Sequence, residues 1–310
     1  MVGKMKMHIA VVGAGALGLY YGAMLRRSGQ EVKFLLRRDY RAVSAGGLHV
    51  TSPAGDFHLG AVSCFQDSAD MGEADLVLIG LKTFDNSRMV DLVRPLVGKK
   101  TALLTLQNGL GNEEVLAAAF GAGRVMGGVA FLCANRGEPG TVHHLGQGAI
   151  RLGEFGRGLS GRAGVVAGLL NSAGVQCEAV ADLVKARWEK LVWNIPFNGL
   201  SALTGLTTDR LLAHSPTCRQ VTEIMAEVIR AANAQGLSEP IDAVSFISRM
   251  FELTEPMGAY RPSMMIDRLE GRPLELEAIY GIPLRMAAEK GVEMVRVRML
   301  HALLEAGENR

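Results

Sequence analysis

The pattern of apolar and polar positions in the first half of the chain predicts strands that alternate with helices. Residues 9–12 form a short apolar run, a glycine-rich turn follows at 13–18, and an alanine-rich helical segment continues through Leu25. A hairpin is predicted at 47–50 and 57–59, on either side of a Ser-Pro-Ala-Gly-Asp turn. Further strands are predicted at 31–36, 75–80, 102–106, 125–132 and 176–180, with antiparallel additions at 141–145 and 149–152.

Beyond residue 180 the apolar positions follow a helical period. Ser215-Pro216 places an N-cap residue before a proline, and apolar residues at helical spacing continue as far as Gly236. Other helices are predicted at 187–198, from Ser238 onward, and at 263–268, 274–290 and 294–304. We therefore predict an α/β Rossmann-type dinucleotide-binding domain at 1–180, followed by an all-α C-terminal domain at 181–310.

The turn between the first predicted strand and helix has the GxGxxG spacing of a dinucleotide-binding fingerprint. In that motif Gly13 permits the tight turn, Gly15 lets backbone N–H groups approach a pyrophosphate, and Gly18 lets the helix pack closely on the strand. The glycine spacing alone is weak evidence, but its position between a strand and a helix predicts nucleotide binding. The residues of this turn are Gly13, Ala14, Gly15, Ala16, Leu17 and Gly18.

The end of the second predicted strand indicates which dinucleotide is bound. NAD-selective sites carry an acidic residue there that binds the ribose 2′-hydroxyl, whereas this chain has Arg37-Arg38. A guanidinium can pair with a 2′-phosphate, so the sequence favours NADP over NAD and over FAD. The alternative is that both arginines are ordinary surface residues.

Two polar residues follow predicted parallel strands at their carboxyl ends, where ligands of such sheets bind. Lys82 comes after the strand at 75–80, and Asn108 comes after the strand at 102–106. Both are candidates for contact with the cofactor or the substrate. The alternatives are a solvated lysine and an Asn-Gly dipeptide that only forms a turn.

The segment 187–198 is the densest candidate for chemistry. Lys190, Asn194 and Asn198 are spaced by four, so on a helix they form one polar stripe among apolar neighbours. Buried polar groups are costly unless they face a ligand or each other. The alternative is the exposed stripe of a half-buried helix. Pro196 lacks an amide proton and is predicted to kink this helix.

Composition narrows the class of protein. The chain has 310 residues, of which 48% are hydrophobic. Its 33 lysines and arginines nearly balance its 31 acidic residues, and this charge balance disfavours nucleic acid as a partner. No apolar run is long enough for a membrane span, and no signal peptide is evident. The cysteines are scattered, which predicts free thiols and a cytoplasmic protein. The pair His143-His144 has no other metal-binding residues nearby in sequence, so we expect no metal site there.

An ordered set of motifs resembles the ketopantoate reductases (2-dehydropantoate 2-reductases) over nearly the whole chain. In the first half the resemblance consists of GAGALG at 13–18, LLRR at 35–38, LKTFD at 81–85 and QNGLG at 107–111. In the second half it consists of WEKLVWNIPFNGLSALTG at 188–205, RPSMMID at 261–267 and GRPLELEAIYG at 271–281.

The resemblance implies reduction of 2-dehydropantoate to pantoate by NADPH, within pantothenate and coenzyme A biosynthesis. It implies Lys190 as the general acid and Glu275 as the residue that positions the substrate against it, in a cleft between the two domains. It further implies substrate contacts from Asn108, Asn194, Asn198 and Ser263, and cofactor contacts from the glycine turn, Arg37, Lys82 and Asn108. The family suggests a monomer or a homodimer.

The chain also departs from the family pattern, mostly on the substrate side. An asparagine-proline pair frequent in the family is Asn198-Gly199 here. The other departures are Tyr260, Leu274, Glu277 and Tyr280. These departures leave open a reductase of another 2-oxo or 3-oxo acid on the same scaffold. A second alternative, from a different class, is a non-catalytic NADP-sensing module.

Overall fold

The computed structural model describes residues 6–156 and 158–308, which form two compact units. One unit contains the chain up to Gln107 together with Asn112–Leu183, and the other contains Asn108–Gly111 together with the chain from Val184 onward. The predicted domain limits differ from these units in residues 108–111 and 181–183.

Within the described residues, ten strands of the first unit form one mixed sheet in the order β4-β3-β9-β8-β7-β6-β1-β2-β5, with β10 paired to β9. The strands are β1 His8–Val12, β2 Glu31–Leu35, β3 Leu48–Thr51, β4 Phe57–Leu59, β5 Ser63–Phe65, β6 Ala74–Ile79, β7 Val97–Thr105, β8 Val125–Arg136, β9 Thr141–Glu154 and β10 Cys177–Ala179.

The strands from β8 to β5 along this order are parallel, as predicted for a dinucleotide-binding sheet. The two predicted segments at 141–145 and 149–152 are one long strand, β9, which pairs antiparallel to β8. Within β9, Gln147 has a left-handed backbone with φ of 57°. The predicted hairpin is confirmed as β3 and β4.

In the part of the chain that the structure describes, five helices cover both faces of this sheet. They are α1 Ala16–Arg27, α2 Tyr40–Gly46, α3 Asn86–Val93, α4 Asn112–Phe120 and α5 Gly161–Ser172. Val11 of β1 packs into the core on the face of α1 and α5, and the next residue, Val12, packs into the core on the face of α3 and α4. Because neighbouring residues point to opposite faces that are both covered, the central strands contain continuous apolar runs.

The second unit is helical, so the predicted fold class is confirmed. Its helices are α6 Leu183–Thr204 (beginning at the unit boundary), α7 Thr208–Ala213, α8 Ser215–Asn233, α9 Ala243–Thr254, α10 Ser263–Leu269, α11 Ile282–Glu289 and α12 Val295–Glu308. A π-helical turn, Glu277–Gly281, leads into α11. Of the helices described within 6–156 and 158–308, none has the length and apolar character needed to cross a membrane.

Two predicted helix starts are corrected by local hydrogen bonds and backbone. The helix expected from Ser238 begins at Ala243, because the carboxylate of Asp242 accepts the Ser245 N–H at 2.9 Å and caps the helix there. The helix expected from Leu274 begins later, with the π-helical turn, so Glu275 lies just before it. Pro196 lies inside α6, which continues as one helix to Thr204.

Candidate active site

The glycine turn has the geometry that the fingerprint requires. Gly13 has a φ of 92°, and a Cβ added there would overlap the backbone of Leu81. A Cβ on Gly18 would overlap the carbonyl oxygen of Gly13, whereas one on Gly15 would meet nothing within 4 Å. Gly15 is also the N-cap residue of α1, and no side chain caps this helix. The turn therefore offers open space at a helix N-terminus, which fits a dinucleotide pyrophosphate.

The end of β2 presents two exposed arginines. The Arg37 side chain is 70% exposed and its Nη2 lies 3.4 Å from Oδ2 of Asp85. Arg38 is engaged differently, because its Nη2 donates to the carbonyl oxygen of Gly137 at 3.2 Å. The contact of Arg37 with a 2′-phosphate stays a prediction. Lys82 is half-buried and precedes the 3-10 turn Thr83–Asp85.

Asn108 stands in a four-residue loop whose backbone is held close to the π-helical turn of the second unit. Gly109 has a φ of 75°, and a Cβ there would overlap the carbonyl of Ala278. The Leu110 N–H donates to the Ala278 carbonyl oxygen at 2.9 Å. Glycine is required at 109 both by the left-handed backbone and by this close approach.

Lys190 and Asn108 meet directly, although they are separated by 82 residues in sequence. The Lys190 ammonium donates to Oδ1 of Asn108 at 2.6 Å, and both residues are half-buried. The oxygen of an amide is a neutral acceptor, so this contact orients the ammonium without neutralising its charge. A lysine in this state can donate a proton to a ligand beside it.

The rest of the polar stripe on α6 is buried, as expected. Asn198 is 2% exposed, and its Oδ1 accepts the Met264 N–H at 3.1 Å and faces the Ser263 hydroxyl at 3.4 Å. This brings two predicted substrate residues, Asn198 and Ser263, together at the start of α10. Asn194 is 4% exposed and lies between Lys190 and Asn198 on the helix.

Glu275 is buried, with 4% exposure, in the segment that precedes the π-helical turn. The neighbouring Leu274 N–H donates to a carboxylate oxygen of Glu308, at the end of α12, at 2.7 Å. The backbone next to Glu275 is therefore fixed by the last described turn of the chain. The role of Glu275 toward a substrate stays a prediction.

One departure from the family pattern has a structural explanation. Tyr280 is fully buried, and its hydroxyl donates to the carbonyl oxygen of Ile195 at 2.9 Å. Burial raises the pKa of this hydroxyl, so it remains a donor. The interpretation of Tyr280 as a substrate-side change stays a prediction. Glu277 is exposed and forms an ion pair with Arg285.

Two residues near these positions are not among those predicted from the sequence. Asp85, the partner of Arg37, lies in the quoted LKTFD motif, so its acidic character was available as a signal. Asn86 hydrogen-bonds both Gln107 and Asn112, and nothing in the local pattern distinguishes it from a helix-capping asparagine.

The described residues offer little for thiol or metal chemistry. Over 6–156 and 158–308 no group of three or more histidine, cysteine and acidic side chains is placed to hold a metal ion. Burial, with a contribution from the charge of Glu178, raises the pKa of the Cys177 thiol to about 12. The four cysteines, Cys64, Cys133, Cys177 and Cys218, are free thiols.

Comparison with known families accounts for both units. The family described as Ketopantoate reductase PanE/ApbA matches residues 9–157, and its C-terminal counterpart, Ketopantoate reductase PanE/ApbA C terminal, matches residues 182–308. The chain belongs to the ketopantoate reductase family. This confirms the resemblance inferred from the motifs and makes the chain an oxidoreductase of a family that depends on nicotinamide dinucleotides.

Relatives match this ketopantoate reductase family member over nearly its full length. A 2-dehydropantoate 2-reductase from Nostoc sp. is 42% identical over 97% of this chain and 96% of its own. The crystal structure of 2-dehydropantoate 2-reductase from Geobacter metallireducens is 56% identical, with a TM-score of 0.95 over 96% of this chain and 99% of its own. A D-mandelate dehydrogenase, 24% identical over 98% of this chain and 99% of its own with a TM-score of 0.90, shares the fold.

Proposed function

We propose that the protein reduces 2-dehydropantoate to pantoate with NADPH, and that Lys190 supplies the proton. The observation that carries this proposal is the 2.6 Å hydrogen bond from Lys190 to Asn108, at one end of a buried stripe of amide side chains. The family membership and the named activity of the Nostoc relative support the same substrate.

In the proposed reaction a reduced nicotinamide, when bound, supplies the hydride to the ketone carbon. The ketone oxygen then gains negative charge, and the Lys190 ammonium donates a proton to it. Asn108 keeps the ammonium aimed in one direction, which matters because proton and hydride transfer need the reacting atoms near contact. We assign substrate orientation to Asn194, Asn198, Ser263 and Glu275.

Three features support NADP as the dinucleotide. The glycine turn leaves space at the N-terminus of α1, no carboxylate replaces Arg37 at the end of β2, and Arg37 is exposed. A guanidinium can bind the 2′-phosphate through two charge-assisted hydrogen bonds. We place Lys82 among the cofactor contacts because it follows the carboxyl end of β6.

A second candidate substrate is another small 2-oxo or 3-oxo acid. Tyr260, which stands where some family members have an asparagine, is half-buried, with its ring 6.3 Å from that of Trp193. An aromatic surface in place of an amide favours a substrate with an apolar group at that point.

A turnover assay tests these readings together. NADPH oxidation is followed with 2-dehydropantoate and with a panel of 2-oxo and 3-oxo acids at matched concentrations. The highest kcat/KM for 2-dehydropantoate supports the proposal, and a higher value for another acid supports the second candidate. NADPH binding without turnover of any acid would favour a sensing module instead. We further propose that the protein is cytoplasmic and is a monomer or a homodimer. Light scattering would measure its molar mass in solution and so distinguish the monomer from the homodimer.

A further inference from the structure

Three amide side chains form a hydrogen-bonded chain across the base of the loop that carries Asn108. Gln107 Nε2 donates to Oδ1 of Asn86 at 2.8 Å, and Nδ2 of Asn86 donates to Oδ1 of Asn112 at 2.8 Å. Gln107 and Asn112 are the residues immediately before and after the loop Asn108–Gly111. A single side chain, Asn86, therefore ties the two ends of this loop together.

The surroundings fix the direction of each hydrogen bond in this chain. The hydroxyl of Thr105 donates to Oε1 of Gln107 at 3.0 Å, so the amide nitrogen of Gln107 is left to face Asn86. Gln107 and Asn112 are both buried. Removing one partner from such a network leaves buried polar atoms unsatisfied, so the network has one strongly preferred arrangement.

The loop itself needs such support. Two of its four residues are glycines with left-handed backbones, Gly109 with φ of 75° and Gly111 with φ of 89°. Glycines give a free loop many conformations, and only a few of these place the Asn108 amide against Lys190. Fixing the loop ends reduces that number.

We propose that Asn86 is a positioning residue for the proton donor, acting through Asn108. By holding Gln107 and Asn112 it sets the loop so that Oδ1 of Asn108 receives the hydrogen bond of Lys190. The kinetic part of this inference rests on the proposed function, because it needs Lys190 to be the proton donor.

The first test compares Asn86→Ala with a matched control in the same unit, Asn171→Ala. Asn171 also bridges backbone segments through three hydrogen bonds, two to Cys177 and one to Ala167, but it lies in α5, outside the loop and its flanks. We expect Asn86→Ala to lower kcat by about tenfold or more with little change in NADPH affinity, since misplacement by about 1 Å can cost about 100-fold in rate. Asn171→Ala should lower the melting temperature and keep kcat.

A double-mutant cycle separates positioning from a general loss of structure. If Asn86 acts through Asn108, Asn86→Ala should have less than about a twofold effect on kcat in an Asn108→Ala background, because the two residues share one pathway. Asn86→Asp retains the acceptor for Gln107 and should recover part of kcat. Full additivity of Asn86→Ala and Asn108→Ala would overturn the proposal.

Hydrogen exchange provides a readout that does not depend on turnover. Asn86→Ala should speed amide exchange in a peptide covering 106–113, and Asn171→Ala should leave that peptide unchanged. If the amide exchange of this peptide is unchanged in Asn86→Ala, the inference is overturned even when the wild-type protein is an active reductase. Absence of turnover by the wild-type protein overturns the proposed function, and the exchange experiment still decides whether Asn86 holds the loop.

Discussion

The hydroxyl of Tyr280 occupies the space that a side chain at position 199 would need. A Cβ added to Gly199 would overlap this hydroxyl and approach Cδ2 of Leu300 to 2.6 Å. Since Gly199 lies in α6 next to Asn198, the glycine and the tyrosine form a matched pair inside the helical unit. Both are departures from the family pattern, and each limits the space that is available to the other.

This pairing predicts that Gly199→Ala is destabilising, although alanine is the better helix former. We expect a loss of about 1–3 kcal/mol in the free energy of unfolding from overpacking, measured by urea denaturation. Gly164→Ala in α5 is the control, because its Cβ meets nothing within 4 Å, and it should be neutral or stabilising by up to about 1 kcal/mol. Tyr280→Phe should relieve part of the Gly199→Ala defect, and no relief would exclude the hydroxyl as its cause.

Lys190→Ala should lower kcat by about 100-fold or more, as expected for loss of a general acid, while NADPH binding is retained. Stopped-flow reduction and NADPH titration by fluorescence would measure the two effects separately. Lys185→Ala is the matched control on the same helix, because Lys185 pairs with the exposed Glu239 and should not affect turnover. Near-normal kcat in Lys190→Ala would remove this lysine from the mechanism.

Arg37→Ala should raise the KM for NADPH by about ten- to hundredfold, since hydrogen bonds to charged groups contribute about 1.5–3 kcal/mol. The KM for NADH should change little, because NADH lacks the 2′-phosphate. Arg38→Ala serves as the neighbouring control, since Arg38 donates to the Gly137 carbonyl. Equal effects of Arg37→Ala on both dinucleotides would contradict the assigned role.

The N-cap of α9 should make part of the stability depend on pH. The hydrogen bonds from the backbone N–H and hydroxyl of Ser245 lower the pKa of Asp242. A lowered pKa in the folded state means that this contribution is present above the unfolded pKa of about 3.9 and is lost as the pH falls through the folded value. Asp242→Ala should therefore melt earlier than the wild type at pH 7, and the difference should disappear at the most acidic pH tested.

Asp242→Asn distinguishes the charge from the cap. Asparagine keeps an acceptor for the Ser245 N–H at every pH, so its melting temperature should lack the acid-dependent step that Asp242 produces. A pH dependence that persists unchanged in Asp242→Asn would show that another group titrates.

Sequence predicts best the strands whose side chains are buried on both faces of the sheet. The strands β1, β6 and β7 each contain a continuous apolar run, because helices cover both sides of the sheet there. The short helices α2 and α3 were missed. Few of their residues are buried, Val43 in α2 and Met89 and Val93 in α3, so they leave no long apolar period.

For the candidate site, spacing predicts the stripe on α6 but not its partners. The four-residue steps from Lys190 to Asn198 follow from helical geometry alone. The contact between Lys190 and Asn108 joins residues 82 apart, and local patterns carry no information about such pairs. The hydrogen bond from Tyr280 could not be predicted either, because its hydroxyl donates to a carbonyl 85 residues earlier in the chain.

The far end of α12 has a practical consequence for anyone who alters this protein. The carboxylate of Glu308 accepts a hydrogen bond from the Leu274 N–H, and the Arg268 guanidinium donates to the Gly307 carbonyl at 2.7 Å. A chain shortened before Gly307, or one with a bulky fusion attached close behind Glu308, would disturb the backbone beside Glu275.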